Sequence, residues 1–212
     1  TSTGGTYFIY GSGSSSSIAI KGSNFTGNRY NGRLIHSSGS SSNIQISDCI
    51  FDGNYAGSTD YFIHSEGGLS VKDSDIKNQN STAYSSYLLY NSGGSSVTVS
   101  GTTFDNNRTT IGMIFNSSTL TSVIDSKFTG NTMSGAAIFS DGTTNPMSIE
   151  NCTFENNTNT SGTAFLYSPG SNSANYISIN NSTFKNNTSS TSAFLHTAGA
   201  LSIQPSQFEQ NT

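Results

Sequence analysis

Met147-Ser148-Ile149-Glu150-Asn151-Cys152-Thr153-Phe154-Glu155-Asn156-Asn157 contains a pattern that returns along the whole chain. Apolar Met147 and Ile149 alternate with Ser148, the turn-former Asn151 follows, and Phe154 precedes Asn157 by three positions. The same Phe-x-x-Asn element occurs at Phe25 to Asn28, Phe51 to Asn54, Phe104 to Asn107, Phe128 to Asn131, Phe184 to Asn187 and Phe208 to Asn211. Ile76 to Gln79 is a degenerate eighth copy, and successive copies lie 24 to 30 residues apart. Periods of this size mark solenoids or propellers, in which each repeat buries its apolar face only against its neighbours.

Charged residues are 9% of the chain, and Ser, Thr, Asn and Gly dominate. Such a composition also suits a disordered tract, but disorder does not place aliphatic residues at fixed offsets from a Phe. Five positions before each Phe-type residue stand Ile20, Ile46, Val71, Val99, Val123, Ile149, Ile179 and Ile203. Seven before stand Ile18, Ile44, Leu69, Val97, Thr121, Met147, Ile177 and Leu201, with mostly polar residues between the two rows. Period two with β-branched residues is a half-buried strand. Three before each Phe come Gly22, Asp48, Asp73, Gly101, Asp125, Asn151, Asn181 and Pro205. All but Pro205 tolerate left-handed backbone, so this position reads as a bend between two faces of a coil. The Asn three after each Phe is expected at the next corner, stacked on its equivalents and bonded to turn backbone. The chain therefore reads as all-β, a single solenoid segment of about eight coils over residues 1–212.

An earlier strand in each repeat reads Tyr7-Phe8-Ile9-Tyr10, and its equivalents are apolar or aromatic at nearly every second, third and fourth position. Alternation along a strand sends one apolar row outward. Because the third position is always Ile or Leu, we place it inside and the second and fourth outside. The expected outward rows are Phe8, Leu34, Phe62, Leu88, Met113, Phe165 and Phe194, and Tyr10, His36, His64, Tyr90, Phe115, Phe139, Tyr167 and His196. Apolar columns of that length suggest an interaction surface.

The Phe-x-x-Asn elements, preceded by stretches such as Ser134-Gly135-Ala136-Ala137-Ile138-Phe139, resemble the polymorphic outer-membrane protein repeats of chlamydial adhesins. Repeats like these also occur in large surface proteins of eukaryotic microbes. The companion Gly-Gly-Ala-Ile element is only approximated, there and at Gly162-Thr163-Ala164-Phe165-Leu166. The resemblance implies a right-handed parallel β-helix and carries over no catalytic residue.

Several chemistries find little support. A net charge of -4 offers no basic stripe for nucleic acid, and no apolar run exceeds five residues, so no segment inserts in a membrane as a helix. Cys49 and Cys152 occupy the same site in coils two and six, about 19 Å apart at the usual rise of a stacked strand, so two unpaired buried thiols are expected. His36 and His64 are neighbours in adjacent coils, but no carboxylate stands at an obvious third position, and neither a metal site nor a cofactor is expected. Outward positions after the Phe carry Asp52, Asp105, Glu155 and Glu209, spaced too widely for a glycosidase pair, so no catalytic residue is assigned.

Asn-x-Ser/Thr acceptors are abundant. Asn24, Asn80, Asn116, Asn151, Asn156, Asn159, Asn180 and Asn186 are glycosylation candidates, of which Asn80, Asn116, Asn156, Asn159 and Asn186 are expected in loops, whereas Asn107 and Asn187 belong to the ladder and are expected to be buried. Thr1 enters almost directly into a strand, and no polar cap is visible at either end. This leads us to expect part of a longer repeat chain or end-to-end stacking. The reading that unites these features is a non-enzymatic extracellular structural glycoprotein, forming or lining a filament or surface appendage. Its partners would be further copies of itself, end to end or side by side, or another surface protein, with covalent glycans. The alternative is a cell-surface adhesin, a monomeric rod that binds a protein or glycan. An ice-binding β-helix and a polysaccharide-active enzyme rank below both.

Overall fold

The computed structural model describes all residues except 1–6, 57–60, 82–85, 118, 143, 171–173 and 192. The entry of Thr1 into the first strand lies outside the described residues. Three parallel sheets of eight strands each wind about a common axis, giving about seven turns. The first sheet runs from Tyr7–Gly11 to Leu195–Thr197, the second from Ser17–Lys21 to Leu201–Ile203, and the third from Asn24–Thr26 to Gln207–Glu209. Register is exact from coil to coil: Ile44 pairs with Leu69, Leu69 with Val97, and Phe128 with both Phe104 and Phe154. The Phe-x-x-Asn period is thus the coil itself. A fourth, narrower column was not anticipated. It consists of two-residue strands from Arg29–Tyr30 to Asn80–Ser81 and from Thr132–Met133 to Thr188–Ser189, joined through bridges at Arg108.

The expected bends are present. Asp48, Asp73, Asp125, Asn151 and Asn181 have φ between 44° and 55°, and Gly22 and Gly101 adopt the same left-handed conformation. Only Gly, Asn and Asp visit this region at low cost, which is why the position admits so few residue types. The second bend falls one residue earlier than expected. Gly27, Gly53, Asn78, Asn106, Gly130, Asn156, Asn186 and Gln210 take the positive φ, two after each Phe. That bend turns the following ladder Asn inward.

The inward amides form one column. Asn131 Nδ2 donates to Phe104 O and to Asn157 Oδ1, each at 2.9 Å, while Asn131 Oδ1 accepts from Asn107 N at 3.0 Å and Asn107 Nδ2 at 2.9 Å. The same set of bonds links Asn157 to Asn187 and Asn187 to Asn211, and Asn28 to Asn54. Beside this column the phenylalanines stack face to face, with centroids 4.5 Å apart for Phe104 and Phe128, 4.6 Å for Phe128 and Phe154, and 4.7 Å for Phe154 and Phe184.

One expectation is corrected here. The second position of the first-sheet segment points inward, and Leu34, Phe62, Leu88, Met113 and Phe165 are core residues. Phe194 packs partly buried against the core, and only Phe8, in the first coil, is exposed. Alternation fails because the backbone turns there: Leu34 N and Ile35 N both donate to Phe62 O, at 3.0 and 3.2 Å. In several coils the regular strand begins only at the third position, as at Ile63–Ser65 and Leu166–Ser168. Two adjacent side chains therefore enter the interior. Phe62 and Phe165 meet the Phe stack edge-on, 5.7 Å from Phe51 and 5.9 Å from Phe154, a favoured geometry for aromatic pairs.

Candidate functional site

The fourth position of the first-sheet segment does face outward, and its residues form a ladder. Tyr10, His36 and His64 stack in succession, with centroids 5.2 and 4.7 Å apart. His64 meets Tyr90 edge-on at 4.9 Å, Tyr90 stacks on Phe115 at 4.6 Å, and Phe115, Phe139, Tyr167 and His196 continue the series. A second outward column from the first position lies alongside: Tyr61 stacks on Tyr90, and Tyr87 contacts Tyr90 and Phe115. These neighbours cover part of the ladder. His36 and His64 are only 3% and 5% exposed and Phe115 is buried, contrary to the expected open row. Tyr90, Phe139 and Tyr167 are half-buried, and Tyr10 and His196 are exposed.

The two histidines do have a carboxylate near them. Glu66 follows His64 by two residues, and its Oε1 lies 3.4 Å from His36 Nε2. The sequence reading missed it because its proximity to His36 depends on the register of adjacent coils. Arg33 completes the cluster, with Nη1 3.0 and 3.2 Å from the ring nitrogens of His36 and its guanidinium within 6 Å of the Tyr7 and Tyr61 rings. Burial, aided by the charge of Arg33 and by His36, lowers the pKa of His64 to about 3.

The sequons divide sharply. Asn24, Asn80, Asn151, Asn156, Asn180 and Asn186 are exposed. Asn116 and Asn159, expected in loops, are instead fully buried. Asn116 Nδ2 donates to Leu120 O at 2.8 Å and to Thr121 Oγ1, while its Oδ1 accepts from Asn91; Asn159 Nδ2 donates to Thr163 O. Both fill turns that would otherwise leave buried backbone carbonyls unpaired. Asn145 and Asn175 form a further buried pair, Asn145 N donating to Asn175 Oδ1. A sequence signal for these did exist: nine before each Phe-type residue the chain carries Ser16, Ser42, Gly67, Ser95, Thr119, Asn145, Asn175 and Gly199. The six exposed candidates, together with the exposed acceptor Asn181 (Asn181-Ser182-Thr183), lie on the second and third sheets, on the corners flanking the third, and on the fourth column. None lies on the first sheet, which carries the aromatic ladder.

Both cysteines are free and buried. Acids following the Phe residues face lysines of adjacent coils: Lys77 lies 3.7 Å from Asp52 and Lys185 3.9 Å from Glu209. A surface groove bounded by Ser42, Asn43, Gly68, Leu69, Ser95 and Thr98 contains no titratable side chain.

Residues 2–146 match the family described as the right handed beta helix region, which covers more than two thirds of the chain. The chain belongs to this family of parallel β-solenoids. No curated protein and no solved structure matches it.

Proposed function

We propose that this chain is a non-enzymatic, extracellular structural glycoprotein whose stacked coils form or line a filament or surface appendage. Within its family we read it as the Phe-x-x-Asn type, similar to the repeats of chlamydial polymorphic outer-membrane proteins. The observation that carries the proposal is the continuous outward ladder from Tyr10 to His196 on a sheet without an exposed sequon. Its accessible rungs, the half-buried Tyr90, Phe139 and Tyr167 and the exposed Tyr10 and His196, provide a rigid strip interrupted at the buried His36, His64 and Phe115, and glycans on the other edges would leave it bare. The partner is a second copy of the chain, laterally or end to end. Two further features favour the non-enzymatic reading: Asp52 and Glu209 are ion-paired with lysines, and the hydroxyl-lined groove lacks an acid or base. The strip equally suits a monomeric adhesin rod that binds another surface protein or a glycan.

Electron microscopy of the natively produced, glycosylated protein separates the two. Continuous filaments that disperse when Tyr90 and Tyr167 are replaced by Asp support self-assembly through the ladder. Separate rods would remove the filament reading and make the strip an adhesive face. Cleavage of any polysaccharide by the purified chain would overturn the non-enzymatic assignment.

A further inference from the structure

We propose that His36, His64 and Glu66 form a binding site for a divalent transition-metal ion of the zinc type, clasping the second and third coils on their outer face. His36 and His64 are register partners in adjacent strands, with rings stacked at an interplanar angle of 16°. Ser65 faces inward with no exposure, so Glu66 returns to the outward side beside them. One ring nitrogen of each histidine and one oxygen of Glu66 lie within 4.8 Å of one another.

Two imidazoles and a carboxylate are a proper zinc donor set, with a fourth position left open for water or another ligand. Tetrahedral bonds of about 2.0 to 2.2 Å set neighbouring donor atoms about 3.3 Å apart. His36 Nε2 and Glu66 Oε1, at 3.4 Å, already have that separation. Glu66 is held for the task, since its Oε2 accepts from Gly39 N at 3.1 Å and leaves Oε1 turned to His36. His64 Nε2 lies 2.9 Å from Ser92 Oγ, and its Nδ1 is buried with no hydrogen-bond partner. A hydrogen bond on one ring nitrogen is how metal-binding histidines fix their tautomer. A buried imidazole nitrogen without a partner is rare enough to require an explanation, and a metal ligand atom is one.

A cation already attends the site. The Arg33 guanidinium lies against His36 and over the Tyr7 and Tyr61 rings. Its half-buried side chain has a route to solvent, so an entering metal displaces it. Arg33 and the metal therefore compete, which a mere surface histidine cluster would not predict.

The test uses the chelator-treated chain titrated with Zn2+ by calorimetry, and with Co2+ followed by visible absorption. Expected are one equivalent bound per chain, a Co2+ spectrum of tetrahedral type, and a rise in thermal midpoint that EDTA reverses. His64→Ala and the milder Glu66→Gln should each weaken binding at least about tenfold, while Arg33→Gln should tighten it. Glu66 is half-exposed, so Glu66→Gln reports even if His64→Ala fails to fold. Absence of binding up to about millimolar Zn2+ would refute the site. Binding that survives both ligand variants, or that Arg33→Gln leaves unchanged, would refute it equally.

Discussion

Gln79 is the irregular rung of the inward amide column. Its Nε2 donates to Phe51 O at 2.8 Å and its N–H to Asn107 Oδ1, but the longer side chain leaves Oε1 buried without a partner. In the other coils that oxygen accepts from the Asn of the preceding coil, as Asn131 Oδ1 does from Asn107. Gln79→Asn should let the shorter amide accept from Asn54, raising stability by about 1 kcal/mol in urea unfolding. No change, or a loss, would show that the register at this coil excludes the ladder geometry. Cys152, two before Phe154, presents the opposite case, a site where the next coil carries Ser182 and the thiol is tolerated. Its Sγ reaches Glu150 O at 3.1 Å, as Ser182 Oγ reaches Asn180 O at 2.8 Å in the next coil. Burial pushes the Cys152 thiol up to about 11, and alkylation needs the thiolate. The folded chain should therefore resist iodoacetamide at pH 8 and react at Cys152 only once unfolded. Labelling of the native protein at the rate of a free thiol would contradict the burial described.

At the scale of elements, the coil is held by its corners as much as by its sheets. Removing the Asn131 side chain takes its partner from Phe104 O and Asn107 N and one bond from each of the Asn107 and Asn157 amides, all buried. Each such group costs about 1 to 3 kcal/mol, so Asn131→Ala should destabilise by about 3 kcal/mol or more. The same change at the exposed Asn24, which serves no column, should cost under about 0.5 kcal/mol. Equal losses would mean that the amide column is not a principal support. Much of this was legible beforehand. The rows beginning Ile20 and Ile18, the bend at Asp48 and its equivalents, and the Phe stack follow from period-two burial and left-handed tolerance, which are local properties. Phe62 and Leu34 were misplaced because alternation holds only within an extended strand, and the chain turns at their backbone. Asn116 and Asn159 were misread as loop residues because an amide that caps a buried turn and one that faces water look alike in one dimension.

Across the whole molecule, the exposed acceptors leave one long face bare. Asn151 and Asn181 are neighbours on one corner, Asn181 Nδ2 donating to Asn151 Oδ1 at 2.8 Å, and Asn156 and Asn186 are equivalents on another. Adjacent coils rise only about 4.8 Å, too little for two glycans side by side. Glycopeptide mass spectrometry of the chain secreted from a eukaryotic host should find at most one glycan per pair. It should find none at Asn107, Asn116, Asn159 or Asn187. Occupancy of Asn116 in folded protein, or of both members of a pair on one molecule, would contradict this arrangement. By itself the sequence determined the coil, its period and the corner three before each Phe, because each arises from residues a few positions apart repeating along the chain. Only the tertiary structure decided which side of the first-sheet segment is buried, which asparagines are closed to glycans, and that Glu66 stands beside His36. Those features depend on where the backbone bends and on what the neighbouring coil, some 25 residues away, sets against each side chain.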